Sequence, residues 1–101
     1  MPGEHQKQVN FIRLYRKKQG LTQKELASLL GFKSSSSISN YERGKKMPGL
    51  EVLLKLEIAC RTPGAFLYRT HYLKLKKELR QKEEELKQGD NNSVKKNRYA
   101  K

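Results

Sequence analysis

The stretch from Thr22 to Gly44, TQKELASLLGFKSSSSISNYERG, decides how the rest of the chain is read. Thr22 offers a capping hydroxyl and Glu25 follows three residues later, the spacing of a capping box. Leu26, Ala27, Leu29 and Leu30 then give one apolar face, until Gly31 can close the helix in a left-handed conformation. The turn Phe32-Lys33 leads into four serines, Ser34 to Ser37, and any of the first of them can cap a second helix. The inward side chains of that helix, from Ser35 to Arg43, are Ile38 and Tyr41. A serine run by itself reads as a flexible linker, but two large side chains at helical spacing oppose that reading.

Outward from this block, a first helix is predicted from Lys7 to Gln19. Val9, Ile12 and Tyr15, flanked by Phe11 or Leu14, recur at helical spacing and face the core. Met1 to Gln6 is polar and reads as a flexible end. Beyond the block, Met47-Pro48-Gly49 is a turn, with Pro48 suited to start a fourth helix. Leu50, Leu53, Leu54 and Ile58, with Leu56 or Ala59, are expected to close the bundle, while Glu51 and Glu57 face solvent. Thr62-Pro63-Gly64 breaks the chain again, and Thr62 is placed to cap a fifth helix.

The 101 residues suffice for one domain with a modest core plus an appendage. The formal net charge is +13. Residues 1–60 hold eleven Lys/Arg and five Asp/Glu, and residues 61–101 hold twelve and five, so the positive field covers the whole molecule. Such a field favours a polyanion, nucleic acid first and an anionic membrane second. Cys60 is the single cysteine, which excludes an intrachain disulfide and a thiolate zinc cage; its register reads as a buried thiol. His5 and His71 lack ligand partners at metal spacing, so neither a metal nor a cofactor is expected. There is no apolar run of membrane-spanning length, and a soluble, cytoplasmic protein is expected.

Two short helices joined by a tight turn, the second with small polar outward residues and basic neighbours, read as a helix-turn-helix. Gly20-Leu21-Thr22-Gln23, Glu25-Leu26-Ala27, Leu30-Gly31, Ile38-Ser39, Tyr41-Glu42-Arg43-Gly44, and Pro48 with Leu53 beyond it resemble the phage-repressor-like helix-turn-helix family, also called the xenobiotic-response-element type. The resemblance runs from about Val9 to Leu67. It departs from the family in one place: five residues separate Phe32 from Ile38 where the family most often has four.

The resemblance implies an all-α fold, a compact five-helix repressor-like domain that binds double-stranded DNA and is nucleoid-associated when bound. It also implies an ion pair between Arg16 and Glu42, tying the first helix to the end of the recognition helix. Gln23 is implied to contact the DNA backbone and to brace a side chain of that helix. Phe66 and Leu67 match the family's final core residues. On the recognition helix itself, Ser35, Ser36 and Asn40 are the candidate base contacts. Asn40 leads, because a carboxamide can pair bidentately with adenine N6 and N7 whereas a hydroxyl discriminates weakly. Lys33, Ser37, Arg43, Lys45 and Lys46 are the candidate phosphate contacts with Gln23.

From Ala65 to about Gln88 there is neither Gly nor Pro, and LKLKKELRQKEEELK is rich in strong helix formers. An extended helix over residues 68–88 is predicted, with Tyr68, Tyr72, Leu75 and Leu79 as candidate dimer contacts. Folding back on the first and fourth helices, or projecting into solvent, are the other readings. The tail, residues 89–101, is basic and without periodicity and reads as disordered.

These features predict a sequence-specific DNA-binding regulator, a repressor acting as a homodimer at a palindromic operator. The alternative is an antitoxin that binds a toxin through its C-terminal helix and represses its own operon. For an enzyme there is no Ser/His/Asp or Cys/His set and no phosphate-cradling glycine loop. RNA binding is the weaker variant, because the aromatic residues are assigned to cores rather than to a stacking platform.

Overall fold

A computed structural model describes residues 9–90 of the chain. Six helices follow one another: α1 (Ile12–Lys18), α2 (Gln23–Leu30), α3 (Ser36–Glu42), α4 (Leu50–Cys60), α5 (Gly64–Leu67) and α6 (Arg69–Asp90). No strand occurs among the described residues. The expected flexible end, residues 1–6, lies outside the described residues, as does all of the expected tail except Gly89 and Asp90, whose backbone continues α6.

α1 begins later than the periodicity of Val9 and Ile12 implies. The Asn10 side chain is the cause: its Oδ1 accepts from the Ile12 amide at 3.1 Å while its Nδ2 donates to the Tyr41 carbonyl at 2.8 Å. A side chain that satisfies the first helical amide ends the helix there. Phe11 N–H is used elsewhere, donating to the Leu67 carbonyl at 2.7 Å. Val9 is therefore exposed and Ile12 alone of the predicted face is fully buried, with Tyr15 packed partly against the core.

The α2 boundaries follow from chemistry visible in the sequence. Thr22 Oγ1 accepts from the Glu25 amide at 3.0 Å, and Glu25 Oε1 accepts from the Thr22 amide at 2.9 Å, closing the capping box. At the other end Gly31 takes φ 90°, and Phe32 N–H reaches back to the Ala27 carbonyl at 2.9 Å. Only glycine adopts that φ without a Cβ clash.

The core centres on Ile12, Leu26, Ile38, Leu56, Cys60 and Leu67, all fully buried. Burial of each large aliphatic side chain here contributes about 1.5–3 kcal/mol relative to exposure. That is what holds α3, whose seven residues are far too few to form a stable helix alone. Burial also pushes the Cys60 thiol up, partly offset by Arg16, with Glu42 adding a smaller upward push.

Several apolar residues expected in the core lie outside it. Leu29 on α2 and Leu50, Leu54 and Ile58 on α4 are exposed, Leu29 by 64% and Ile58 by 75%. α4 buries the Leu56–Cys60 side instead, with Val52, Leu53 and Ala59 packed at its edge. The polar side of α4 is short, set by the Glu51–Lys55 ion pair, and Leu54 and Ile58 share that side, so packing against α1 and α2 buries the opposite one. Phe66 is likewise exposed, and Leu67 alone takes the final core position. α4 starts at Leu50 after Gly49, rather than at Pro48. Thr62 does not cap α5: its hydroxyl donates to the Cys60 carbonyl at 2.8 Å, and Glu57 Oε2 instead accepts from the Gly64 amide at 2.6 Å.

α6 leaves the body through α5 and does not fold back onto α1. Tyr68, expected at a dimer surface, is 8% exposed and belongs to the chain's own core. Its hydroxyl is buried with no hydrogen-bond partner, and burial, with a smaller push from Tyr41, raises its pKa to about 12.

Candidate nucleic-acid interface

α3 is fixed from three sides. Beneath it, Ile38 and Tyr41 are buried, and the Tyr41 ring lies 6.4 Å from that of Phe32 in a tilted pair. Its C-terminal end is held by Glu42, whose side chain is only 4% exposed. Arg16 Nε donates to Glu42 Oε2 at 2.5 Å and its Nη2 to Oε1 at 3.3 Å. The remaining Arg16 Nη1 donates to the Leu21 carbonyl at 2.8 Å. Gln23 Nε2 completes the cluster, donating to Glu42 Oε1 at 2.9 Å. One carboxylate thereby joins α1, α2 and α3, and both charges are paired and multiply hydrogen-bonded, as burial requires.

Gln23 is thus held by Glu42 at the first turn of α2. The capping box uses the Thr22 and Glu25 amides, which leaves the Gln23 and Lys24 amides as the helix N-terminal donors without an intrahelical acceptor. A phosphate placed there meets those dipoles and the Gln23 carboxamide together.

The serines divide into distinct roles. Ser35 stands at the N-cap position, half-buried and without a side-chain capping bond. Ser34 supplies the local bond instead: its Oγ accepts from the Ser36 amide at 3.3 Å and lies 2.9 Å from Ser36 Oγ. Ser36 is exposed at the start of α3, and Ser37 is half-buried one position on. Asn40 is half-buried, and its Oδ1 accepts from Arg43 Nη2 at 3.4 Å across one helical turn. That long contact uses one of the two lone pairs on Oδ1, and a carboxamide has a second acceptor site and two N–H donors to offer a base.

Cations bracket the helix. Lys33 precedes it and Arg43, Lys45 and Lys46 follow it, all exposed. Gly44 makes the exit, with φ 74° and its N–H donating to the Tyr41 carbonyl at 3.0 Å. The left-handed turn carries Lys45 and Lys46 back beside α3, where Lys45 N–H bonds the Asn40 carbonyl at 2.9 Å. A helix with an uncharged polar surface between two sets of exposed cations has the chemistry of a groove reader flanked by phosphate anchors.

A family model described as Helix-turn-helix matches residues 12–67, more than half of the chain. The chain belongs to the phage-repressor-like helix-turn-helix family. The match spans α1 to α5 and ends where α6 begins, so the family accounts for the body and not for the long helix. Family membership makes this a DNA-binding regulator. No curated protein matches the chain.

One residue that helps hold α3 lies outside the sequence reading: Asn10, which bonds the Tyr41 carbonyl. Its signal is an Asn just before an apolar-periodic run, masked by the earlier start that the periodicity of Val9 and Ile12 suggests. Among the equivalent capping serines the structure selects Ser34. The Glu57 bond to the Gly64 amide has no sequence signal, because it is set by how α4 and α5 meet.

Proposed function

We propose that this protein is a sequence-specific double-stranded DNA-binding repressor that acts as a homodimer at a palindromic operator. α3 enters the major groove, Asn40 reads a base edge, and Ser35 and Ser36 add weaker contacts. Gln23, Lys33, Ser37, Arg43, Lys45 and Lys46 hold the phosphates. The observation that carries this reading is the character of α3. Its apolar side is locked into the core by Ile38, Tyr41 and the Arg16–Glu42 pair, while its solvent side is polar, uncharged and flanked by four exposed cations. Rigid presentation of that kind suits base readout, because a helix already ordered loses little entropy on docking.

The phosphate anchors supply salt-sensitive affinity common to all duplexes, and α3 supplies selectivity. Repression follows from occupancy of an operator and requires no ligand-sensing module. The test is binding to a pool of random duplexes at two salt concentrations, with the mass in solution measured alongside. Enrichment of one inverted repeat by a dimer is expected. Equal retention of every duplex overturns the sequence-specific reading, and a monomer at all concentrations overturns the homodimer. Co-purification with one small toxin that occupies α6 would replace the repressor reading with the antitoxin.

A further inference from the structure

Asn10 and Phe11, just ahead of α1, tie three helices together. Phe11 N–H donates to the Leu67 carbonyl at 2.7 Å, which fixes the segment to the end of α5. The half-buried Asn10 side chain spans α1 and α3: Oδ1 accepts from the Ile12 amide at 3.1 Å and Nδ2 donates to the Tyr41 carbonyl at 2.8 Å. Those partners fix which way the carboxamide points, because a backbone N–H only donates and a carbonyl only accepts.

The carbonyl that Asn10 meets is the one at which the reader ends. α3 closes in a Schellman turn, with Lys45 N–H on the Asn40 carbonyl at 2.9 Å, Gly44 N–H on the Tyr41 carbonyl at 3.0 Å, and Gly44 at φ 74°. Both lone pairs of the Tyr41 carbonyl are therefore used, one by Gly44 from within the turn and one by Asn10 from outside it. Asn40 immediately precedes this junction, and Arg43, Lys45 and Lys46 follow it.

Selectivity and bulk affinity differ in how far they depend on that backbone. A lysine ammonium on its flexible stem still reaches a phosphate when the turn shifts. The short Asn40 side chain has no such reach, and a bidentate pair with a base edge demands fixed geometry. On the sequence-specific reading above, we infer that Asn10 is a positioning residue for base readout: through the Tyr41 carbonyl it fixes the backbone from which Asn40 reads.

Asn10→Ser and Asn10→Asp in the full-length protein separate this role from local capping. Ser and Asp can bond the amide two residues on, as Asn does, the hydroxyl more weakly. Neither supplies a donor to Tyr41: the serine hydroxyl ends short of it, and a carboxylate only accepts. Fluorescence anisotropy measures the affinity of wild type and both variants for the duplex enriched from the random pool and for a scrambled duplex. Circular dichroism checks folding. Each variant is expected to lose about fivefold or more of the wild-type preference for the enriched duplex, with Asn10→Ser holding the scrambled duplex within about twofold of wild type. The added charge of Asn10→Asp lowers both affinities, so only their ratio is read there. An unchanged ratio in either folded variant makes Asn10 a purely structural residue and overturns the inference, while the sequence-specific reading stands. Failure of both variants to fold places Asn10 in the scaffold and overturns it as well. Wild type that enriches no duplex overturns the sequence-specific reading itself, and the role of Asn10 with it.

Discussion

Arg16 and Glu42, twenty-six residues apart, meet in the interior through two hydrogen bonds, and Gln23 joins the same carboxylate from a third helix. The pair matters less for net stability than for what its loss leaves behind. Replacing Arg16 by Met strands the Glu42 charge and should destabilise the protein by about 3 kcal/mol. The Arg16→Met, Glu42→Leu double variant should recover most of that loss, because an apolar pair of similar volume carries no desolvation penalty. Chemical denaturation midpoints of the two variants check this; additive losses would contradict it.

Tyr68 supplies the opposite case, a buried polar atom with no partner. Tyr68→Phe removes an unsatisfied hydroxyl and leaves the ring in place, so it should stabilise the fold by about 1 kcal/mol. The phenol also governs alkaline behaviour. Its pKa is raised to about 12 in the folded protein from 10.0, so the neutral form is favoured by folding. That contribution is fully present below pH 10.0 and is lost as pH rises toward about 12. Thermal unfolding across that window should show a decline in wild type that is smaller in Tyr68→Phe.

Glu57 caps α5 through the Gly64 amide. Glu57→Ala removes a charge-assisted bond and should cost about 1.5 kcal/mol by thermal or chemical unfolding. Glu57→Gln should retain part of that stability, since a carboxamide oxygen still accepts.

What the sequence made legible was local. The α2 box at Thr22 and Glu25, the glycine stop at Gly31 and the inward pair Ile38 and Tyr41 each follow from rules that act within a few residues. The family resemblance located Arg16 and Glu42 together, which no local rule could do. Rotation was the failure. Leu29, Leu50, Leu54 and Ile58 satisfied a helical spacing as well as Leu26, Leu56 and Cys60 did, and the packing of α4 on α1 and α2 left them outside, Leu54 and Ile58 beside the Glu51–Lys55 pair. Tyr68 failed for a related reason: the stripe on α6 continues into the body, so its first member is covered by the chain itself. At the interface, the outward set on α3 could be listed, but the Asn40–Arg43 contact depends on rotamers that spacing does not specify.

The cations around α3 should act on all duplexes alike. Lys46→Ala should weaken binding uniformly and lower the slope of log affinity against log salt by about 1. Fluorescence anisotropy on an enriched and a scrambled duplex, each over a salt series, checks this. A loss confined to the enriched duplex would make Lys46 a reader rather than an anchor.

The central claim is that α3 reads bases, and Asn40 is the residue on which it turns. Binding selection from random duplexes, run in parallel with wild type and Asn40→Ala, tests it most directly. Wild type is expected to enrich one motif, and Asn40→Ala to lose preference at a single adenine-bearing position in each half-site while keeping the rest. The loss should correspond to about 1–3 kcal/mol of discrimination there. An unchanged motif, or an equal loss of affinity for every duplex, would contradict the assignment.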